Sequence, residues 1–274
     1  MPDDDVDQAP EARAGREPGV QTVEKTLAIL EIVAERGGAT AKDVSAALGF
    51  PLPTTYRLLQ VLVQRDYLVH LRDEHRFELG YRLDRLSASL HRQVGVPHPV
   101  RSEVARLHDL TGAAAYFAVY RGADVIVAHV VDCPDHPRIT PLRFGFHEAA
   151  HATAFGKIML AGMAPEAVEQ YIDVHPMTPL TSATMTRRDA LVEHLDTVAT
   201  RGVAWEQDEF VPGMTCAAVG VRDRSGAIVG AVAVSAPSRT VDARRQRDLE
   251  RHLRDVANQV SRCCRSGQPR DAAA

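Results

Sequence analysis

The chain has 274 residues, 45% of them hydrophobic and 25% charged, with a formal net charge of −4. That length suits two ordinary domains, and that apolar content is enough for buried cores. The charge balance excludes a global polycation for nucleic acid or for an anionic membrane surface, so any nucleic-acid contact must come from a local patch.

Residues 1–19 (MPDDDVDQAPEARAGREPG) are acidic and rich in Ala, Pro and Gly. They lack the basic start and apolar stretch of a secretion signal and read as a disordered tail, as do residues 266–274. No apolar run approaches the roughly 18 residues of a membrane helix. Cys133, Cys216, Cys263 and Cys264 form no CxxC pair, which predicts reduced thiols and a cytoplasmic protein. Nothing in the pattern calls for a cofactor.

Order begins near Val20, where Val20, Val23, Leu27, Leu30 and Ala34 share one helical face that Gly37-Gly38 ends. Thr40 with Asp43 predicts a capping box for a second helix, with Val44, Ala47 and Leu48 inward and Gly49 as its stop. Pro53 suits the first turn of a third helix, with Leu58, Leu59 and Leu62 inward and Thr54, Arg57, Gln60 and Gln64 outward. YLVHLRDEHRFELG (67–80) reads as a hairpin with a charged tip at 72–76. Three helices and a hairpin in that order make a winged helix-turn-helix over residues 20–80.

Residues 81–97 predict a linker helix with the stripe Leu83, Leu86 and Leu90, punctuated by Pro97 and Pro99. Residues 98–265 read as a second domain of mixed α and β. Strands AAAYFAVY and VIVAHVV flank the turn 121–124, and a further strand covers about 138–144. A helix begins near His151, Pro165 opens another, and a Thr186–Asp189 capping box starts one that Gly202 closes. Strands near 214–222 and 227–235 and a helix over roughly 240–264 complete an α+β fold.

The first turn of a recognition helix reaches base edges in the major groove, so it needs short hydrogen-bonding residues and a cation for phosphate. Thr54, Thr55, Tyr56 and Arg57 supply these, and no acidic residue occurs from Thr54 to Arg65. This points to double-stranded DNA. A non-DNA sensor or interaction module is the bland alternative.

HEAAH (147–151) matches the zinc signature HExxH, which makes a zinc hydrolase using His147, Glu148 and His151 a further alternative. That chemistry needs both His on one helix, one turn apart. Here the helix is expected to begin only at His151, after the breaker Gly145, and Ala154 and Lys157 stand where the extended motif needs Gly and His.

LGFPLPTTYRLLQVLVQRDYL, FELGYRL, HATAFGKIMLA, RGVAWEQDEFVPGMTCAAVGVRDRSG and AIVGAVAVSAPSR follow in an order and spacing that resemble the IclR family of bacterial transcriptional regulators, over roughly residues 20–265. The resemblance implies a winged helix-turn-helix, a linker helix and a C-terminal GAF/profilin-like effector-binding domain. It also implies a homodimer or dimer of dimers on operator DNA, answering to a small carboxylic acid. Thr54, Tyr56 and Arg57 match family positions, but Leu52-Pro53 stands where Lys-Ser is common. That shifts expected DNA affinity toward the wing, Arg72 and Arg76, or toward an N-terminal arm with Arg13 and Arg16. In the second domain the resemblance implies effector contacts at Ala154, Phe155, Glu206, Cys216 and Ser235, with Ala233 where some members have a second Ser. Backbone N–H groups where the helix begins are expected to hold a carboxylate, with Phe155, Met159 and Trp205 as apolar wall. The bland readings are core filling for Cys216, Ser235 and Trp205, and a surface or Arg-paired carboxylate for Glu206.

Overall fold

The structure, a computed structural model, describes residues 18–266. Arg13 and Arg16 and the tails outside that range lie beyond the described residues. The described chain forms two compact units that divide between Gln93 and Val94. Among the described residues no helix is long and apolar enough to cross a membrane.

The first unit runs α1 (Pro18–Glu35), β1 (Ala39–Thr40), α2 (Ala41–Leu48), α3 (Leu52–Gln64), β2 (Leu68–Leu71), β3 (Arg76–Leu79) and α4 (Arg82–Val94). Thr40 and Asp43 form the expected capping box, each side chain closing on the other's backbone N–H. Gly49 ends α2 at φ 67°, a conformation an L side chain resists. Pro53 in the first turn of α3 sacrifices no hydrogen bond. Strand β3 pairs antiparallel with both β1 and β2, so the wing is anchored to the turn before α2. Ile29, Val33, Val44, Leu58, Leu59, Leu62, Leu68 and Phe77 form the core.

The apolar face of α1 differs from the expected one. Ile29 and Val33 are buried, while Val20, Val23 and Leu27 are 48%, 59% and 54% exposed. The helix carries two apolar stripes, and periodicity cannot say which one meets α2 and α3. Ala47 likewise faces solvent, and Ala41 takes its place in the core. On α4 the stripe Leu83, Leu86 and Leu90 includes no buried residue.

The second unit adds α5 (His98–Thr111), β4 (Ala114–Arg121), β5 (Asp124–Val131), α6 (Ala154–Leu160), α7 (Pro165–Val174), α8 (Arg188–Arg201), β6 (Ala204–Gln207), β7 (Met214–Arg222), β8 (Ile228–Pro237) and α9 (Ala243–Ser266). Its five strands form one antiparallel sheet in the order β5-β4-β8-β7-β6. Alternation sorts their side chains onto two faces. Ala115, Phe117, Val219 and Val232 pack with Val104 and Leu107 of α5 and Leu253 and Val256 of α9. Tyr116, Ala118, Cys216 and Ala233 pack with Phe155, Ile158 and Met159 of α6 and with the 139–146 loop.

Four sequence expectations change here. Helix α5 went unforeseen because Pro97 and Pro99 read as terminators, yet Pro99 sits in its first turn. The expected strand over 138–144 is a loop: Pro141 offers no N–H to a ladder, and Ile139, Leu142 and Phe146 supply apolar contacts instead. The helix expected at His151 begins at Ala154, after a 3-10 turn over Ala150–Ala152. Helix α8 begins with no side-chain cap because its N-cap position falls on Arg187, which has no acceptor to offer, one residue after Thr186.

Candidate DNA-binding and effector sites

On α3 the residues expected to meet DNA separate into two classes. Tyr56, Arg57 and Gln60 lie on the solvent face, and Thr54 is half-buried beside them. Thr55 corrects the sequence reading: it is fully buried, and its hydroxyl donates to the Pro51 carbonyl at 3.2 Å. It holds the start of the helix and cannot reach a base edge. Leu52 packs against the core, which explains an apolar residue at the edge of this surface.

The wing also divides. Arg72 is exposed at the tip, where Asp73 and Glu74 offset its charge. Arg76 instead donates from Nη2 to the Gly37 carbonyl at 2.7 Å and lies 3.6 Å from Glu78. Its guanidinium fastens β3 to the end of α1, which draws it away from the wing tip. Arg57 of α3 and Arg72 of the wing tip are thus the exposed cations that these two elements offer.

The second unit collects most of the expected effector residues. Glu206, Cys216 and Ser235 are register partners across β6, β7 and β8, and so form one lateral row on the α6 face of the sheet. Tyr116 of β4, in register with Ala233, reaches that row through its side chain: its hydroxyl pairs with Ser235 Oγ at 3.0 Å and accepts the Ile139 N–H at 3.0 Å. Ala154, Phe155, Glu206 and Cys216 line a small cavity with Tyr116, Leu142, Phe210 and Ala233. Its volume is ≈ 10 Å³, about what one water molecule needs. Phe155 and Phe210 supply its aromatic wall.

Ser235 is not among the cavity-lining residues, since its hydroxyl is engaged by Tyr116. Trp205 is also displaced from its expected role as pocket wall, because strand alternation turns it to the α5/α9 face. Met159 is buried in the α6-side core without lining the cavity. The Thr153 hydroxyl accepts the Gly156 N–H at 3.2 Å, so one donor at the start of α6 is already satisfied. Gly156 fits there because an added Cβ would lie 2.3 Å from the Ala150 carbonyl.

Two functional-looking residues escaped the sequence reading. Lys157 is completely buried and ion-pairs with Glu209, itself 6% exposed. Burial pulls the Lys157 ammonium below its ordinary range, while Glu209 pushes back. The Glu209 N–H donates to Glu206 Oε2 at 3.1 Å. Glu206, 2% exposed, has its pKa pushed up to about 7, chiefly by burial. Its neighbour is thus neither solvent nor an arginine. A lysine in an otherwise apolar helix was the available signal; the matching acid lies 52 residues away.

The HEAAH residues do not converge. His147 and Glu148 are exposed in a loop, and His147 Nδ1 lies 3.0 Å from the Gly145 carbonyl. His151 is buried, with Nε2 3.1 Å from the Thr178 carbonyl. The sequence match therefore lacks the single helix that zinc binding requires. Among the described residues no group of three His, Cys, Asp or Glu is placed to hold a metal ion.

Comparison with known proteins follows the same division of the chain. The family described as "Bacterial transcriptional regulator IclR C-terminal" matches residues 89–262, and the "IclR helix-turn-helix domain" matches residues 22–72. The HTH-type transcriptional repressor AllR of Escherichia coli K12 is 26% identical over 245 residues, covering 89% of this chain and 90% of that protein. The Thermotoga maritima IclR crystal structure superposes with a TM-score of 0.75 at 21% identity, over 89% of this chain and 99% of that one. An IclR homolog from Microbacterium hydrocarbonoxydans, complexed with 4-hydroxybenzoate, gives a TM-score of 0.69 at 21% identity, over 90% and 100%.

Proposed function

The chain belongs to the IclR family of bacterial transcriptional regulators, and on that premise we propose that its first unit binds operator DNA while its second unit binds a small carboxylic acid. The observation that carries the DNA half is the solvent face of α3. It presents Tyr56, Arg57 and Gln60 from a helix with no acidic residue, on a scaffold fastened by Thr55 and Arg76. Arg57 supplies phosphate or base contact, and Tyr56 and Gln60 supply hydrogen bonds at base edges. The acid half is supported by a neighbour of the same fold that holds a hydroxybenzoate and by the small apolar cavity that Glu206 and Cys216 line between the sheet and α6, which an acid enters as Phe155 and Phe210 turn aside.

Acid binding alters operator affinity; a coupling of about 1–3 kcal/mol gives a several-fold to hundred-fold response. A homodimer or dimer of dimers completes the reading. It is supported by the exposed apolar side chains of Leu86 (50%) and Leu90 (36%) on α4, which have no core to join. The protein is placed in the cytoplasm, where its operator lies. The test is a gel shift with DNA from upstream of its own gene: a discrete complex that weakens steeply with salt is expected. No complex at low salt refutes the DNA reading.

A further inference from the structure

The charged groups buried beneath α6 do not balance. From α6, Lys157 is in contact with Glu209, which follows β6. From β6, Glu206 places Oε2 on the Glu209 N–H, while Oε1 is buried, has no N–H or O–H partner and belongs to a side chain lining the cavity. From β7, the Cys216 thiol contacts the same carboxyl, and burial beside Glu206 pushes that thiol well above its ordinary range. From β4, the Tyr116 hydroxyl is taken by Ser235 and Ile139. His151 and His194 feel the charge of Lys157, which adds to burial in disfavouring their charged forms. The cluster thus holds two carboxyls and one ammonium, and that ammonium is already paired.

An acid anion entering beside an ionised Glu206 meets an unscreened like charge. A proton on Oε1 removes the repulsion and converts that acceptor into a donor on a side chain that lines the cavity.

We propose that a carboxylic acid binds this pocket as its anion against a protonated Glu206, so that binding draws a proton from solvent wherever Glu206 is ionised beforehand. This rests on the acid reading above. No covalent bond changes; the proton goes to Oε1 and is shared with the ligand carboxylate as O–H···O. Lys157 and Glu209 act as positioning residues, withholding from the pocket the one cation that would otherwise neutralise the ligand. Because the Glu206 carboxyl titrates at about 7, the protonated fraction falls about tenfold between pH 6 and pH 8, and acid affinity falls with it.

The experiment is isothermal titration calorimetry and thermal shift on the full chain, at pH 6 and pH 8. Sodium acetate, benzoate and 4-hydroxybenzoate are the probes, with benzamide as the uncharged control. Acids should bind about tenfold more weakly at pH 8, and their enthalpy should change with buffer ionisation enthalpy by about 0.9 proton per site at pH 8 and only about 0.1 at pH 6. Glu206→Gln, which keeps a neutral donor, should remove both dependences whatever its absolute affinity. The wild-type buffer dependence stands alone should that variant fold poorly. Acid binding of equal strength at both pH values, with no proton uptake, overturns this inference and leaves the acid reading intact. Stabilisation by benzamide alone, or by no probe at either pH, overturns both.

Discussion

Replacing Glu206 with Gln should change how the stability of the second unit depends on pH, even without ligand. The carboxyl goes from an ordinary value of 4.5 to about 7 in the folded protein, a rise of about 2.5 units driven by burial. At about 1.4 kcal/mol per unit, this amounts to about 3.5 kcal/mol in full, of which about 3 kcal/mol is reached by pH 7. The sign follows from proton counts. Between 4.5 and 7 the folded state holds a proton that the unfolded chain has released, so raising the pH destabilises the fold. The wild type therefore keeps its full stability below 4.5 and loses about 3 kcal/mol of it by pH 7 and about 3.5 kcal/mol well above. Gln cannot ionise, so its curve lacks this decline. The chain has a single tryptophan, Trp205, beside Glu206 on β6, so its fluorescence reports unfolding of this unit. Urea denaturation followed at Trp205 between pH 5 and pH 8 should show the stability difference, Gln variant minus wild type, growing in favour of the variant as pH rises. Subtraction cancels titrations common to both proteins. A difference that stays constant across this range would falsify the assignment of a neutral buried carboxyl to Glu206.

Lys157→Met should destabilise the second unit by about 3–5 kcal/mol, because it leaves the buried Glu209 carboxylate without its cation. Lys157→Met combined with Glu209→Leu should recover most of that loss in a double-mutant cycle; additive losses would show that the two residues act separately. In the first unit, Thr55→Val should cost about 0.5–1.5 kcal/mol of stability through the lost bond to Pro51, yet leave the salt dependence of DNA binding unchanged. Arg57→Ala should leave stability within about 0.5 kcal/mol and lower the salt slope of DNA binding by about 1, read from gel shifts at several salt concentrations. If Thr55→Val rather than Arg57→Ala changes the slope, the orientation assigned to α3 is wrong.

Much of the first unit was legible because its signals are local. The Thr40–Asp43 box, the Gly49 stop and Pro53 each act within one turn of backbone, so spacing alone locates them. Burial was less legible. Thr55 belongs to the same polar run as Thr54 and Tyr56, and only the path of α3 over Ile29 and Val33 turns it inward. The choice between the two stripes of α1 is of the same kind.

In the second unit, local signals located β4, β5, β7, β8 and α9. Helix α5, the short strand β6 and the 139–146 loop depended on what packed against them. The pocket follows this rule. Glu206 and Cys216 were recognisable as residues of interest, but neither the charge state of Glu206 nor the identity of its neighbours is a local property. Those depend on β6 pairing beside β7 and on Lys157 reaching Glu209 across 52 positions of sequence. The sequence by itself determined the Thr40–Asp43 cap, the Gly49 stop and the turns of the hairpins, because these depend on backbone chemistry within a few residues. Only the tertiary structure decided which carboxyl is left without a cation, because desolvation and pairing depend on every group that reaches the same small volume.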